Sequence, residues 1–119
     1  MAKHNQTGVK GELLALDFLV KKGYNLLQQN WRHQHKEVDL IMSLGEWLVI
    51  IEVKTRRGLG FGFPEESVTA GKQAFLKMAA EAYFEAHAGF GKVRFDVISI
   101  VLHERNDEVQ ELLHLEDAF

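Results

Sequence analysis

The sequence predicts an α/β fold, a mixed β-sheet flanked by helices in the order α-β-β-β-α-β-(β). Three observations predict it. Two segments, over 7–22 and 65–88, carry apolar residues at helical spacing. Two short β-branched runs joined through Leu44-Gly45 read as a hairpin between those helices. A further β-branched run, Val93 to Leu102, follows the second helix, and strands that alternate with helices in this way build a sheet with helices packed on it.

Each element has its own local reason. The first helix, over 7–22, has Thr7 as a candidate N-cap and Gly23 as its stop. A short strand over 24–32 runs into the polar turn His33-Gln34-His35. The hairpin strands cover 37–43 and 46–54. A glycine-rich loop continues from Thr55 to the lone proline, Pro64, and the second helix is expected over 65–88. The strand over 93–102 is followed by a final edge strand over 108–115. No repeat, linker or low-complexity segment divides the 119 residues, so one domain over 1–119 is expected.

Composition narrows the chemistry. A chain of this length can bury an adequate core without disulfides or a structural metal. The absence of cysteine removes thiolate catalysis, zinc ribbons and iron–sulfur clusters. The N-terminal residues lack a secretory apolar stretch, and no run approaches the roughly 20 apolar residues of a membrane span, so a cytoplasmic location with no membrane partner is expected. The net charge of −3 argues against indiscriminate coating of nucleic acid. The acidity is local, however. Residues 104–119 hold six acids against Arg105 alone, which leaves residues 1–103 at +2.

Charges inside apolar runs carry most of the functional information. Leu48-Val49-Ile50-Ile51 reads as a strand buried on both faces, yet it continues into Glu52-Val53-Lys54. Val38 and Leu40-Ile41 likewise enclose Asp39. An unpaired buried charge is expensive, so such groups are expected to have partners or ligands. With a turn centred on Leu44-Gly45, Asp39 falls opposite Ile50. Strand periodicity then puts Asp39, Glu52 and Lys54 on one face, with Glu37 beside them. That parity holds only if no β-bulge intervenes. At 100° per residue Glu12 lies between Leu16 and Leu19 with Val9 nearby, while Lys72 falls among Val68, Leu76, Ala79 and Tyr83. Two helices and a hairpin thus send charge towards one interior.

Converging carboxylates suit a hard divalent cation, Mg2+ or Mn2+, and no organic cofactor is implied. Such an ion polarises a phosphoryl oxygen and activates water, and a neighbouring lysine can orient that water or neutralise developing charge. The set suits phosphodiester hydrolysis. Asp39 followed by Glu52-Val53-Lys54 on the next strand resembles the PD-(D/E)XK motif of restriction-endonuclease-like nucleases. Most of the chain, over about 8–100, resembles the YraN family of small bacterial proteins, which is distantly similar to archaeal Holliday-junction resolvases. The matching segments are Gly11-Glu12, Gly23-Tyr24, Asn30-Trp31-Arg32, Glu37 to Ile41, Glu52 to Lys54, Arg56, Phe61-Gly62, Pro64, Lys72 and Arg94 to Val97. The chain departs at Val38, where the nuclease motif has proline, and at Lys36, where the family usually has glycine.

The resemblance implies a restriction-endonuclease-like fold and a metal-dependent endonuclease acting on branched or structured DNA. Asp39 and Glu52 would bind metal, Lys54 would be catalytic, and Glu12 would be an accessory acid. Arg32, His33, His35, Lys36, Arg56 and Arg57 form a basic neighbourhood, and of these Arg32, Lys36, Arg56 and Arg57, together with Lys72, are candidate phosphate contacts. Symmetric cleavage of two strands calls for a homodimer, an expectation no single residue carries.

Competing readings exist for each group. Asp39, Glu52 and Lys54 could be a structural ion-pair cluster. Glu12 could stabilise a helix dipole, Lys72 could extend past Tyr83 to solvent, and Glu37 could be an inert strand-end charge. A second class of function is a nucleic-acid- or partner-binding module that keeps the nuclease fold without turnover. Gly58-Leu59-Gly60-Phe61-Gly62 fails the GxGxxG spacing at Phe63 and is rejected as a phosphate loop, and Phe61 and Phe63 are expected to anchor on the domain rather than to cap substrate as a flap. Trp31 and Trp47 are expected to pack. His87, His103 and His114, without ligand spacing, receive no role.

Overall fold

The computed structural model describes residues 6–58 and 68–119. The order is α1 (Gln6–Lys21), β1 (Asn25–His33), β2 (Lys36–Leu44), β3 (Trp47–Arg57), α2 (Ala70–Ala86), β4 (Lys92–Leu102) and β5 (Val109–Leu115). The five strands form one sheet in the order β1-β2-β3-β4-β5. Only β3 and β4 pair in parallel, and the intervening segment contains α2, as a parallel connection requires. The expected mixed sheet flanked by helices is therefore what the chain forms. Among the described residues no helix is long and apolar enough to cross a membrane.

The two sheet faces carry separate cores. Leu40, Met42, Val49, Ile51, Ile98, Ile100 and Leu102 pack with Ala15 and Leu19 of α1 and with Tyr24. Ile41, Leu48, Ile50 and Val97 pack with Leu76, Ala79, Ala80 and Tyr83 of α2. Both faces of β3 are thus buried, which explains its unbroken apolar run. Trp31 packs into the α2 core and Trp47 against the α1 core, as expected.

Several boundaries shift for identifiable reasons. Thr7 is not the N-cap, because α1 already includes Gln6, and its hydroxyl instead accepts Arg57 Nε at 2.8 Å. Helix α2 begins at Ala70, five residues later than expected. Thr69 caps it by accepting the Lys72 N–H, and Val68 lies outside the helix in the core. Strand β3 runs on to Arg57, beyond the expected end at Lys54, because it stays paired with β4 as far as Leu102. Phe61, Phe63 and Pro64, and with them the expected anchoring and its flap alternative, lie outside the described residues.

Helix α1 meets β3 through a glycine. A Cβ built on Gly11 would lie 1.7 Å from the Thr55 hydroxyl oxygen, so no larger residue fits without displacing the helix. This close approach sets the height of α1 over the sheet and hence the position of Glu12.

A buried charge network ties the C-terminal strands to the same face. Asp96 is fully buried, and its carboxylate accepts Arg94 Nε at 2.9 Å, Arg94 Nη2 at 2.8 Å, His114 Nε2 at 2.8 Å and the Asp117 N–H at 3.0 Å. Lys22 Nζ donates to His114 Nδ1 at 2.8 Å, which leaves Nε2 to carry the proton towards Asp96. Arg94 Nη2 also donates to the Tyr24 hydroxyl. Burial pushes the Asp96 carboxyl upward, but hydrogen bonds from His114, Arg94 and the Asp117 N–H outweigh it and hold the carboxyl below the ordinary aspartate value.

Two outcomes are expected. Gly11→Ala should lower stability by about 1–3 kcal/mol through overpacking, read as a fall in the urea midpoint at unchanged slope. Asp96→Asn should cost about 3–5 kcal/mol by leaving Arg94 without its buried counter-charge. Because the folded-state pKa of Asp96 is depressed, its stabilisation is complete above its unfolded value near ~4 and is lost as pH falls through the lower folded value. Acid unfolding curves of the wild type should therefore show a step below about pH 4 that Asp96→Asn lacks.

Candidate functional site

The sequence places a glycine in the β2–β3 turn, and its position in the turn decides what faces what. Leu44 pairs with Trp47, so the turn residues are Gly45 and Glu46 rather than Leu44 and Gly45. Gly45 has a φ of +59° at the first central position, where a type II′ hairpin favours glycine. The register is thereby offset by two residues from the expected one, pairing Ile41 with Ile50 and Leu40 with Ile51. Continuing it one step brings Asp39 opposite Glu52 rather than Ile50. A two-residue shift preserves the face, and the Asp39 and Glu52 carboxylates do interact, whereas Glu37 pairs with Arg32 instead.

The paired register of β2 and β3 ends at Leu40 and Ile51, and the next inward group is a side chain. The Asp39 carboxylate accepts the Val53 N–H at 2.8 Å, which fixes its orientation. Strand alternation breaks here as well. Val38 and Ile41 pack on the α2 side, whereas Leu40 and Met42 pack on the α1 side. Glu52 follows Ile50 on the α2 face, opposite Val97 of β4.

Both carboxyls are poorly solvated. Burial and then the Glu52 charge hold Asp39 well above the ordinary carboxylate range, against the opposing Val53 N–H. Glu12 adds repulsion and Lys72 relieves part of it. Burial likewise raises Glu52, opposed by the Lys72 ammonium, by a hydrogen bond with the Asp39 carboxyl and by the Lys54 charge. Glu52 Oε2 lies 3.5 Å from Lys72 Nζ, and the glutamate side chain is only 13% exposed. Its other oxygen, Oε1, is buried with no hydrogen-bond partner among the described residues.

The remaining candidates divide between this locus and elsewhere. Lys54 lies two residues beyond Glu52 on the same strand face and is exposed. Glu12 accepts Asn30 Nδ2 at 3.0 Å, and the positive φ of Asn30, +48°, suits asparagine among non-glycine residues. Val9, expected near the core, is 43% exposed, so the buried line of α1 is Gly11, Ala15 and Leu19. Arg56 Nη2 donates to the buried Ser99 hydroxyl at 3.4 Å. Lys36, at the β1–β2 turn, sits over the Phe75 ring of α2. Arg32 is exposed and pairs with Glu37 at 3.9 Å, so Glu37 faces Arg32 across β1 and β2.

Arg57 is placed apart. It bonds Thr7, the carbonyls of His103 and Asn106, and Asp107, and so fastens the β4–β5 connection to α1. His114, to which the sequence assigned nothing, is a buried member of the Asp96 network. The signal that would have found it is the one used for Asp39, a charged Arg94 and Asp96 inside a β-branched run. Asn30, the holder of Glu12, carries no comparable mark beyond its place beside Trp31.

The donor set can be tested for a divalent ion. Among the described residues no three His, Asp or Glu side chains close around one point. Two carboxylates do meet, fixed by a backbone N–H, with an oxygen left over and burial disfavouring their charge. A deficit of positive charge at two hard oxygen donors fits Mg2+ or Mn2+ with water completing the shell.

Residues 11–100 match the protein family described as Uncharacterised protein family UPF0102. A UPF0102 protein of Rhodococcus opacus is 41% identical over the whole of both chains. One from Flavobacterium psychrophilum is 39% identical over all of this chain and 98% of its own. Another, from Caldicellulosiruptor bescii, is 41% identical over 96% of this chain and 97% of its own. On this full-length similarity the chain belongs to the UPF0102 family.

Proposed function

We propose that this chain is a divalent-metal-dependent endonuclease that hydrolyses phosphodiester bonds in branched or otherwise structured DNA. The observation that carries the reading is the Asp39–Glu52 pair, two half-buried carboxylates interacting on core strands with Glu52 Oε1 left without a partner among the described residues. When bound, Mg2+ or Mn2+ supplies phosphoryl polarisation and a more acidic water.

The chain's own groups have distinct tasks. Asp39 and Glu52 hold the ion, and the Val53 N–H keeps the Asp39 carboxylate from rotating away. Lys54, exposed on the same face, orients the attacking water or takes its proton. Glu12, steered by Asn30, adds negative charge from α1. Arg32, Lys36, Arg56 and Lys72 contact phosphates, which positions DNA without reading its sequence.

A second reading is a nucleic-acid- or partner-binding module that keeps the nuclease fold. The observation favouring it is that a pair of acids, not a closed triad, converges among the described residues. One experiment separates the two. End-labelled single-stranded, duplex, flap and four-way-junction DNA is incubated with wild type and Asp39→Ala in Mg2+ or Mn2+. The nuclease reading expects cleavage by wild type alone, strongest on a branched substrate. Tight DNA binding that persists in Asp39→Ala, with no products from either protein, selects the binding module.

Stability distinguishes a ligand site from an ion-pair scaffold. Asp39→Asn keeps an acceptor for the Val53 N–H and removes the charge. For a raised carboxyl the folded state holds its proton more tightly, so stability falls as pH rises from the unfolded value near ~4 towards the folded one. At neutral pH the metal-free variant should therefore melt above wild type, by about 3–6 °C if the gain is about 1 kcal/mol. The two melting curves should converge near pH 4, within roughly a unit. A lower melting temperature for the variant at neutral pH would mean that Asp39 is a structural partner.

A further inference from the structure

We infer that Lys72 is a tethered counter-ion that takes the place of the metal's charge and weakens the site's intrinsic affinity for cations. The inference rests on the proposed metal site and assigns an affinity-setting role to a residue outside the ligand pair. Its ammonium lies 3.5 Å from Glu52 Oε2, half-shielded at 31% exposure. The position is not explained by the helix that carries it. Lys72 lies in the first turn of α2, just after the Thr69 cap, where the helix dipole disfavours a cation and where no acidic residue is present. A lysine held against its own helix end is held by something else, and that partner is Glu52.

The arrangement has a consequence for ion affinity. A cation that enters between Asp39 and Glu52 must displace the Lys72 ammonium or bind beside it, and either loses part of the attraction that the carboxylates offer. Once displaced, the ammonium is free to meet the anionic phosphate that shares the site. Lys72 therefore lowers the intrinsic affinity for every cation.

The test measures metal binding without DNA and without turnover. Mn2+ is titrated calorimetrically into the full chain at about pH 8, above the ordinary carboxylate range. Four proteins are compared: wild type, Lys72→Met, Lys72→Arg and, from the outer face of the same helix, Lys77→Met. Removing a unit charge a few ångströms from the ion should tighten Mn2+ binding by about tenfold or more in Lys72→Met. Lys72→Arg and Lys77→Met should bind as wild type does. Lys72→Gln replaces Lys72→Met if circular dichroism shows that variant unfolded. Equal or weaker Mn2+ binding by the uncharged Lys72 variants, with wild type still binding, would overturn the role of Lys72 and leave the metal site standing. No Mn2+ binding by any folded protein would overturn both.

Discussion

The antiparallel register of β2 and β3 is the constraint on which the rest of the site depends. It leaves Asp39 and Glu52 just beyond its last pair, Leu40 and Ile51, where the Asp39 carboxylate takes the Val53 N–H. A slip of one residue would turn Glu52 into the α1 core in place of Ile51 and turn Ile51 towards α2. The apolar residues around the pair therefore enforce its geometry. Leu40 and Ile51 are fully buried on one face while Ile41 and Ile50 are buried on the other, and only one register satisfies both.

Asp96, fully buried, and Asp39, half-buried, behave oppositely in this fold. Asp96 receives Arg94, His114 and the Asp117 N–H, so its charge is stabilised despite full burial. Asp39 receives one N–H and faces another carboxylate, so its charge is disfavoured. A protein selected for stability alone satisfies buried charge as it does at Asp96. At Asp39 and Glu52 it leaves an oxygen without a partner among the described residues and keeps like charges together. Local destabilisation of this kind is common where a ligand is meant to complete the set.

Much of this was legible before any coordinates. The element order and the burial of β3 on both faces follow from β-branched runs and helical spacing, which act locally. The meeting of Asp39 and Glu52 was also legible, because strand parity tolerates the two-residue error in the turn. What was not legible depended on pairs far apart in the chain. The clash that makes Gly11 necessary involves Thr55, and the buried state of His114 depends on Asp96 and Lys22. Helix starts are hard to read where a threonine's partner lies far along the chain or the cap sits inside the expected helix. Thr7 looked like a cap but serves Arg57, and Thr69 capped a helix expected to begin earlier. The separate duty of Arg57, next in sequence to Arg56, was hidden because neighbouring strand residues point to opposite faces.

The site draws one group from each of four elements, Glu12 from α1, Asp39 from β2, Glu52 from β3 and Lys72 from α2. No stretch of the unfolded chain holds these residues together, so the electrostatic tension among them exists only after folding. That places the unfavourable terms wholly on the folded state, where burial of the two cores must offset them. It also means that any ion recognised by the pair binds the folded chain selectively and adds to its stability by mass action. On the proposed reading, the strain at Asp39 and Glu52 and the pair's affinity for a cation would be the same free energy, seen without and with the ion. The Lys72 charge relieves part of that strain.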